Sequence, residues 1–208
     1  MFRHAEPKTR NQLTEADGDT VVVRRALVVF ESMFGNTRKV AEAVAAGLGE
    51  RMDVTIRDVA HVTHADVEAA ELLILGAPTH AFSLSRPSTR ADAHLRGALE
   101  GSAELGMREW LSALPENAVC RVAVFDTLLW RVRGLPGSAA RKMASALRHD
   151  GAVVADRRSF FVEDVAGPLL PDELSQARSW GRGLAALVPA EAGFLRSGLL
   201  QRAELPDP

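Results

Sequence analysis

Ser32, Gly35, Asn36 and Thr37 are the residues whose types and spacing best suit chemistry. They fall within Ser32-Met33-Phe34-Gly35-Asn36-Thr37, a short polar stretch between two apolar ones. The run before it, Ala26-Leu27-Val28-Val29-Phe30, reads as a buried parallel strand. After it, Val40, Val44 and Leu48, with Ala41 and Ala45, recur at helical spacing and mark one buried stripe. The polar loop therefore sits at a helix N-terminus, where free N–H groups and the helix dipole favour a phosphate. Gly35 lets the backbone bend and approach a ligand closely. No Lys or Arg lies inside the loop, and Arg38 and Lys39 come just after it. The chemistry indicated is a phosphate held by neutral donors. The plainer reading of the same residues is a strand-to-helix turn capped by Asn or Thr.

The elements that must position this loop follow in alternation. Met52–Asp58 alternates as a strand with one more exposed face. A connection with a short helix near residues 65–70 leads to the apolar run Leu72-Leu73-Ile74-Leu75, which ends at Gly76. Gly76–Arg90, GAPTHAFSLSRPSTR, reads as a long loop of the kind that often carries function. A helical segment is expected over 91–101, then a helix with Met107, Leu111 and Leu114 on one face, stopped by Pro115. Val119–Phe125 reads as the fourth strand and Asp126–Gly137 as a second long loop. Ser138 caps the next helix, with Ala140, Met143, Ala144 and Leu147 inward. The fifth strand lies within 152–163; its polar middle, Asp156-Arg157-Arg158-Ser159, predicts an edge, a bulge or a bend. The last helix begins near Pro171-Asp172-Glu173 and is expected to bury Leu174, Ala177, Gly181 and Leu184.

Five β/α units in alternation predict a parallel sheet with helices on both faces. Residues 1–20 read as a flexible N-terminal arm, 21–188 as the folded domain and 189–208 as a C-terminal tail. In the tail, Phe194, Leu195, Leu199 and Leu200 suit either a cap on the domain or a partner's surface. In an open parallel sheet, ligands bind beyond the carboxyl ends of the strands, where the strand order reverses. That rule selects Ser32–Thr37, Gly76–Arg90 and Asp126–Gly137. One phosphate loop and two long walls suit a ligand with a phosphate, a flexible chain and a flat ring.

The phosphate loop is not a Walker loop, because no Gly-Lys-Ser/Thr follows. Nor is it the dinucleotide fingerprint, because it holds one glycine. Ser32-Met33-Phe34-Gly35-Asn36-Thr37 resembles the flavodoxin phosphate loop, Ser/Thr-x-x-Gly-x-Thr at the start of a helix. Gly76-Ala77-Pro78-Thr79-His80-Ala81-Phe82 resembles the first wall of that family's flavin site, and Phe125-Asp126-Thr127 matches the position of the second. The resemblance runs from about Arg25 to Ala186. It implies a flavodoxin-like, doubly wound five-stranded sheet of order 2-1-3-4-5, binding FMN. It further implies that Ser32, Asn36 and Thr37 hold the phosphate with the amides of Met33, Phe34 and Gly35. Thr79, with Asp126 or Thr127, would meet the ring edge or ribityl hydroxyls, and the backbone of Pro78, Thr79, His80, Ala81 and Phe82 the reactive ring nitrogen.

Some positions depart from that pattern. The sequence has no Tyr, the residue that carrier flavodoxins stack on the flavin; Trp130 or Phe82 would substitute. Trp130-Arg131-Val132-Arg133 is basic where carriers are acidic. Arg86 and Arg90 read either as groups that steady reduced flavin or an acidic substrate, or as solvated loop cations. Asp126 reads equally as a flavin contact or a turn cap. His80 is the candidate for proton transfer to reduced flavin. A receiver domain shares the strand order but needs an Asp ending the third strand, which here ends in Leu75-Gly76.

Three functions follow: an FMN electron-transfer protein, an NAD(P)H-dependent FMN oxidoreductase of quinone-reductase type, and a flavin-free binding module. The partner would be a redox protein or a small-molecule acceptor. A net charge of −2 gives no sign of nucleic acid. Cys120 is the single cysteine and reads as a core thiol. His61 and His64 lack a third metal ligand. No apolar run approaches the roughly 18 residues of a membrane span, and Met1–Gln12 lacks a signal peptide's apolar centre. A cytoplasmic location is the resulting expectation.

Overall fold

The computed structural model describes residues 24–114 and 121–188. The arm, the tail, Pro115 and Cys120 lie outside the described residues. The elements run β1 (Arg25–Phe30), α1 (Asn36–Leu48), β2 (Asp53–Asp58), α2 (His64–Ala69), β3 (Leu72–Pro78), α3 (Pro87–Leu95), α4 (Met107–Ala113), β4 (Arg121–Leu129), α5 (Ala139–His149), β5 (Val153–Val162) and α6 (Glu173–Ala185). All strand pairs are parallel and the order is β2-β1-β3-β4-β5. The expected doubly wound sheet is the observed one. β1 pairs with β2 on one side and β3 on the other, so the order reverses beside β1 and the cleft opens there.

Because the strands are buried on both faces, their side chains divide into two cores. Leu27, Val29, Leu73, Leu75, Val122 and Val124 point to one face and pack under α2, α4 and α5. Ala26, Val28, Phe30, Ile74, Ala123 and Phe125 point to the other, under α1 and α6. There α1 and α6 touch backbone to backbone. A Cβ on Gly47 would lie 2.0 Å from the Arg178 carbonyl oxygen, and one on Gly181 would lie 2.2 Å from that of Val44. Only glycine permits that approach.

β5 is one of the two edge strands, with a bulge where Val122 pairs Val154 but Ala123 pairs Asp156. Its polar middle is explained by Trp180, whose indole N–H donates to Asp156 Oδ2 at 2.7 Å. Trp180 in turn lies edge-on to Phe125 and Phe160.

Four expectations are corrected. β3 and β4 run past their apolar stretches to Pro78 and Leu129, because ladder pairing continues through Thr127 and Leu129 to Phe160 and Val162. α3 begins at Pro87, four residues before 91, with proline at the helix start where its missing N–H is not needed. The helical segment expected over 91–101 ends at Leu95. In α6, Leu174 is exposed, and the buried stripe is Glu173, Ala177, Trp180, Gly181, Leu184 and Ala185.

Candidate cofactor-binding site

The Ser32–Thr37 loop is built by its own residues. Gly35 has φ +81°, the left-handed conformation that lets the chain turn directly into α1. Its N–H donates to Ser32 Oγ at 3.1 Å, so the fully buried Ser32 braces the loop from within. Lys39 N–H donates to the Gly35 carbonyl and closes the first helical turn. The amides of Asn36, Thr37 and Arg38 find no acceptor among the described residues, as a helix start leaves them. Asn36 Nδ2 donates to the Ala166 carbonyl at 3.1 Å, joining α1 to the β5–α6 loop.

This loop opens on a cleft of about 300 Å³. Of the residues singled out from sequence, Met33, Phe34, Asn36, Thr37, Pro78, Thr79, His80, Ala81 and Thr127 line it. Ser32, Gly35, Phe82, Asp126 and Trp130 do not. The remaining walls are new: Thr89, Asp92 and Ala93 on α3 with Arg96 just past its end, Leu129 at the end of β4, Val162 at the end of β5 and Val165 in the loop that follows. α3 reaches the cleft because Ala93 packs with Met33 of the Ser32–Thr37 loop and with Ala98.

Asp126 acts as a cap on the start of α5 and does not line the cleft. It is fully buried, and its Oδ2 accepts from Thr79 Oγ1 at 3.0 Å and from the Ala140 N–H at 2.9 Å. Thr79 Oγ1 also accepts from the Ala139 N–H. The two side chains together tie the end of β3 to the start of α5, while Asp126 Oδ1 is buried without a partner among the described residues. Trp130 is a second correction. Its ring meets Phe161 edge-on at 5.6 Å and carries the Arg133 guanidinium 3.6 Å above it, away from the cleft lining.

The arginines part company. Arg86 is exposed, but Arg90 has no exposed surface. The Arg90 guanidinium donates to Ser85 Oγ and to the carbonyls of Ala103 and Glu104, and pairs with Glu109 at 3.1 Å. Beside it lies the buried Glu31, whose Oε2 accepts from Met107 N–H at 2.8 Å. Burial pushes the Glu31 carboxyl up from its ordinary range. A Cβ on Gly106 would lie 2.5 Å from Arg90 Nη1 and 2.9 Å from Glu31 Oε2. Arg90 is thus the pin that holds the β3–β4 crossover, neither a solvated cation nor a ligand contact.

His80 lines the cleft at one end of a hairpin with Ser83, each accepting the other's N–H. The two residues between, Ala81 and Phe82, have φ of +46° and +62°, strained for residues with a Cβ. Burial, and then the Arg90 charge, hold the His80 pKa below its ordinary 6.5. The imidazole is therefore neutral at pH 7. Arg38, the first cation after the loop, is drawn to Glu100 at 3.3 Å, and the Glu100 N–H donates to the Met33 carbonyl. The loop's donors are accordingly neutral ones.

His61 and His64 face separate carboxylates, Asp58 at 3.9 Å and Glu68 at 3.1 Å. No group of three or more His, Cys, Asp or Glu side chains is placed to hold a metal ion among the described residues. No helix among the described residues is long and apolar enough to cross a membrane.

The sheet is open and doubly wound, with a glycine-bent loop and a cleft at its switch point. The family model described as Flavodoxin matches residues 28–94, which hold the second half of β1, the Ser32–Thr37 loop, β3 and most of α3. The fold is shared by a flavodoxin from the domain Archaea, 21% identical, covering 78% of this chain and 97% of that one with a TM-score of 0.55. It is shared also by the flavodoxin of Streptococcus pneumoniae TIGR4, 20% identical over 79% and 99%, TM-score 0.54. The flavodiiron core Flv1 of Synechocystis sp. PCC6803 is 19% identical with a TM-score of 0.50, and the match spans 36% of its length. No curated protein matches the sequence. The chain therefore has the flavodoxin fold, and residues 28–94 match the flavodoxin family model.

Proposed function

We propose that the cleft binds FMN and that the protein transfers electrons through it. The observation that carries this reading is the Ser32–Thr37 loop: a left-handed Gly35, first-turn amides without acceptors and no cation, opening on a cleft at the switch point. The residues fit the group. A phosphate suits the unaccepted amides of Asn36, Thr37 and Arg38 and the Thr37 hydroxyl. Thr127, with the backbone of Pro78 to Ala81, would hold the ribityl chain and ring. Bound there, the flavin supplies the one- and two-electron chemistry, and the chain binds, orients and tunes it. His80, kept neutral by burial, would present a neutral hydrogen-bonding group and not a standing positive charge.

Electrons would pass to a redox protein or a small-molecule acceptor. A reading as an NAD(P)H-dependent oxidoreductase is favoured by one feature, the polar α3 wall of Thr89, Asp92 and Arg96 beside the cleft. Titration of the purified protein with FMN, followed by flavin fluorescence, tests binding. Saturable quenching at one site supports it, and none leaves a flavin-free module. Rapid bleaching of the loaded protein by NADPH alone selects the oxidoreductase; bleaching only through a reductase protein selects the carrier.

A further inference from the structure

Four large apolar side chains stand exposed on the loops beside the cleft: Val165 lines it, Phe82 and Trp130 directly follow the lining residues Ala81 and Leu129, and Leu135 shares the loop of Trp130. Phe82 (47%), Trp130 (43%), Leu135 (50%) and Val165 (47%) come from the three loops after β3, β4 and β5. The loops are joined. A Cβ on Gly137, two residues past Leu135, would lie 2.7 Å from the Phe82 carbonyl oxygen. Arg131 reaches Asp164 at 3.2 Å, beside Val165, which lines the cleft. Single exposed apolar residues are ordinary, but a cluster beside one cleft marks an interaction surface.

Its charge is local. Residues 130–142 carry Arg131, Arg133, Arg141 and Lys142 and no carboxylate, in a chain whose net charge is −2. All four cations are exposed, as is Arg86 on the neighbouring loop. The acids of the rim, Glu163, Asp164 and Asp172, lie on the β5–α6 side, and Arg131 pairs with Asp164. The loop after β4 is therefore basic and apolar together, while Asp92 lines the cleft on the α3 side. Arginine and tryptophan are the residues that anchor protein interfaces, and arginine suits carboxylates. An anionic bilayer is less well served. The Trp130 ring is covered on one face by Arg133 at 3.6 Å and held edge-on by Phe161, so it is not free to insert.

We infer that the rim built by Phe82, Trp130, Arg131, Arg133 and Leu135 docks an acidic, one-electron redox protein. The inference rests on the flavin reading of the adjoining cleft. In each encounter one electron leaves the reduced flavin and reduces the partner, and no bond is made or broken. The FMN-loaded protein, reduced with dithionite, is mixed with ferricytochrome b5, an acidic acceptor, and with ferricytochrome c, a basic one. Rates are read from about 0.01 to about 1 M salt, over which the screening length falls from about 30 to about 3 Å. Electrostatic steering acts on any acceptor of the right sign and is worth about 10- to 1000-fold in association rate. The wild-type rate with cytochrome b5 should fall at least tenfold with salt. Arg131→Glu/Arg133→Glu should lose that dependence and favour cytochrome c. Equal low-salt rates of wild type and variant with cytochrome b5, or a wild-type preference for cytochrome c, overturn the inference. So does binding to phosphatidylglycerol vesicles that the variant loses while its cytochrome rates stand. FMN titration separates the two readings. Flavin bound with rates indifferent to Arg131 and Arg133 sinks the surface alone. No flavin bound sinks the flavin reading, and with it the electron-transfer role given to this surface.

Discussion

The hydroxyl of Thr37, in the first turn of α1, lies 2.8 Å from the hydroxyl of Thr127, in β4. β3 lies between β1 and β4 in the sheet, so this bond ties the loop after β1 to the end of β4 across the cleft. One hydroxyl donates and the other accepts, which leaves one hydroxyl hydrogen for a ligand. Thr37→Val should therefore weaken FMN by roughly tenfold or more, since a hydrogen bond to a charged group contributes about 1.5–3 kcal/mol. Thr127→Val should cost less, because Thr127 is farther from the helix N-terminus. Fluorescence titration gives both constants; equal affinities for wild type and Thr37→Val would show that the hydroxyl serves the fold and not the ligand.

Asp126 and Thr79 form the second tie, and here the expected effect is on stability. Asp126 Oδ2 accepts from both the Thr79 hydroxyl and the Ala140 N–H. Asp126→Ala removes a helix-start acceptor and leaves two buried donors unpaired. A loss of about 2–4 kcal/mol in urea unfolding is expected from the cap and the stranded donors together. A loss below about 0.5 kcal/mol would place Asp126 among ordinary surface residues.

Much of this was legible in the chain. The apolar runs, the helical stripes and Ser32-Met33-Phe34-Gly35-Asn36-Thr37 suffice for the parallel sheet and for the loop at its switch point, because each rests on local periodicity. The strand ends were not legible. Gly76–Pro78 and Asp126–Leu129 leave the apolar pattern just where the strands reach the cleft, and they stay extended only because β3, β4 and β5 pair there. Arg90 reads as a loop cation because its partners, Ala103 and Glu104, lie 13 and 14 residues on and offer only carbonyls. A backbone acceptor leaves no trace in a sequence. The α3 wall stayed hidden for a related reason: Thr89, Asp92 and Arg96 face the cleft only once Ala93 has packed on Met33.

His80 should make stability depend on pH with a definite sign. Burial lowers its folded pKa below 6.5, so between the two values the unfolded chain binds more protons than the folded one. Its contribution is complete above 6.5 and is lost as pH falls through that value toward the folded pKa. Glu31 and Glu173, both raised by burial, act in the opposite sense, and they are common to both proteins compared. His80→Gln should therefore lose less stability than wild type between about pH 7.5 and about pH 5.5, a window that brackets imidazole titration. Urea midpoints at the two pH values measure it. Parallel shifts in the two proteins would mean that His80 titrates as freely as in the unfolded chain.

Arg90 supports the site from behind the cleft. Its planar fork spends Nε on Ala103, Nη1 on Ser85 and Nη2 on Glu104 and Glu109, at 2.7–3.1 Å. Lysine keeps the charge but has one nitrogen and cannot reach these directions at once. Arg90→Lys should cost about 1–3 kcal/mol, the range for leaving buried hydrogen-bond acceptors unsatisfied. Arg90→Met removes the charge as well, yet leaves Glu31 and Glu109 without their cation, so it should not restore stability. The flavin readout follows from α3. Thr89, Asp92, Ala93 and Arg96 hold their places along the cleft through the helix that Arg90 pins. Arg90→Lys, assayed under conditions where it stays folded, should therefore weaken FMN several-fold although Arg90 does not line the cleft. Loss of stability with unchanged FMN affinity would detach α3 from the cofactor and restrict Arg90 to holding the crossover together.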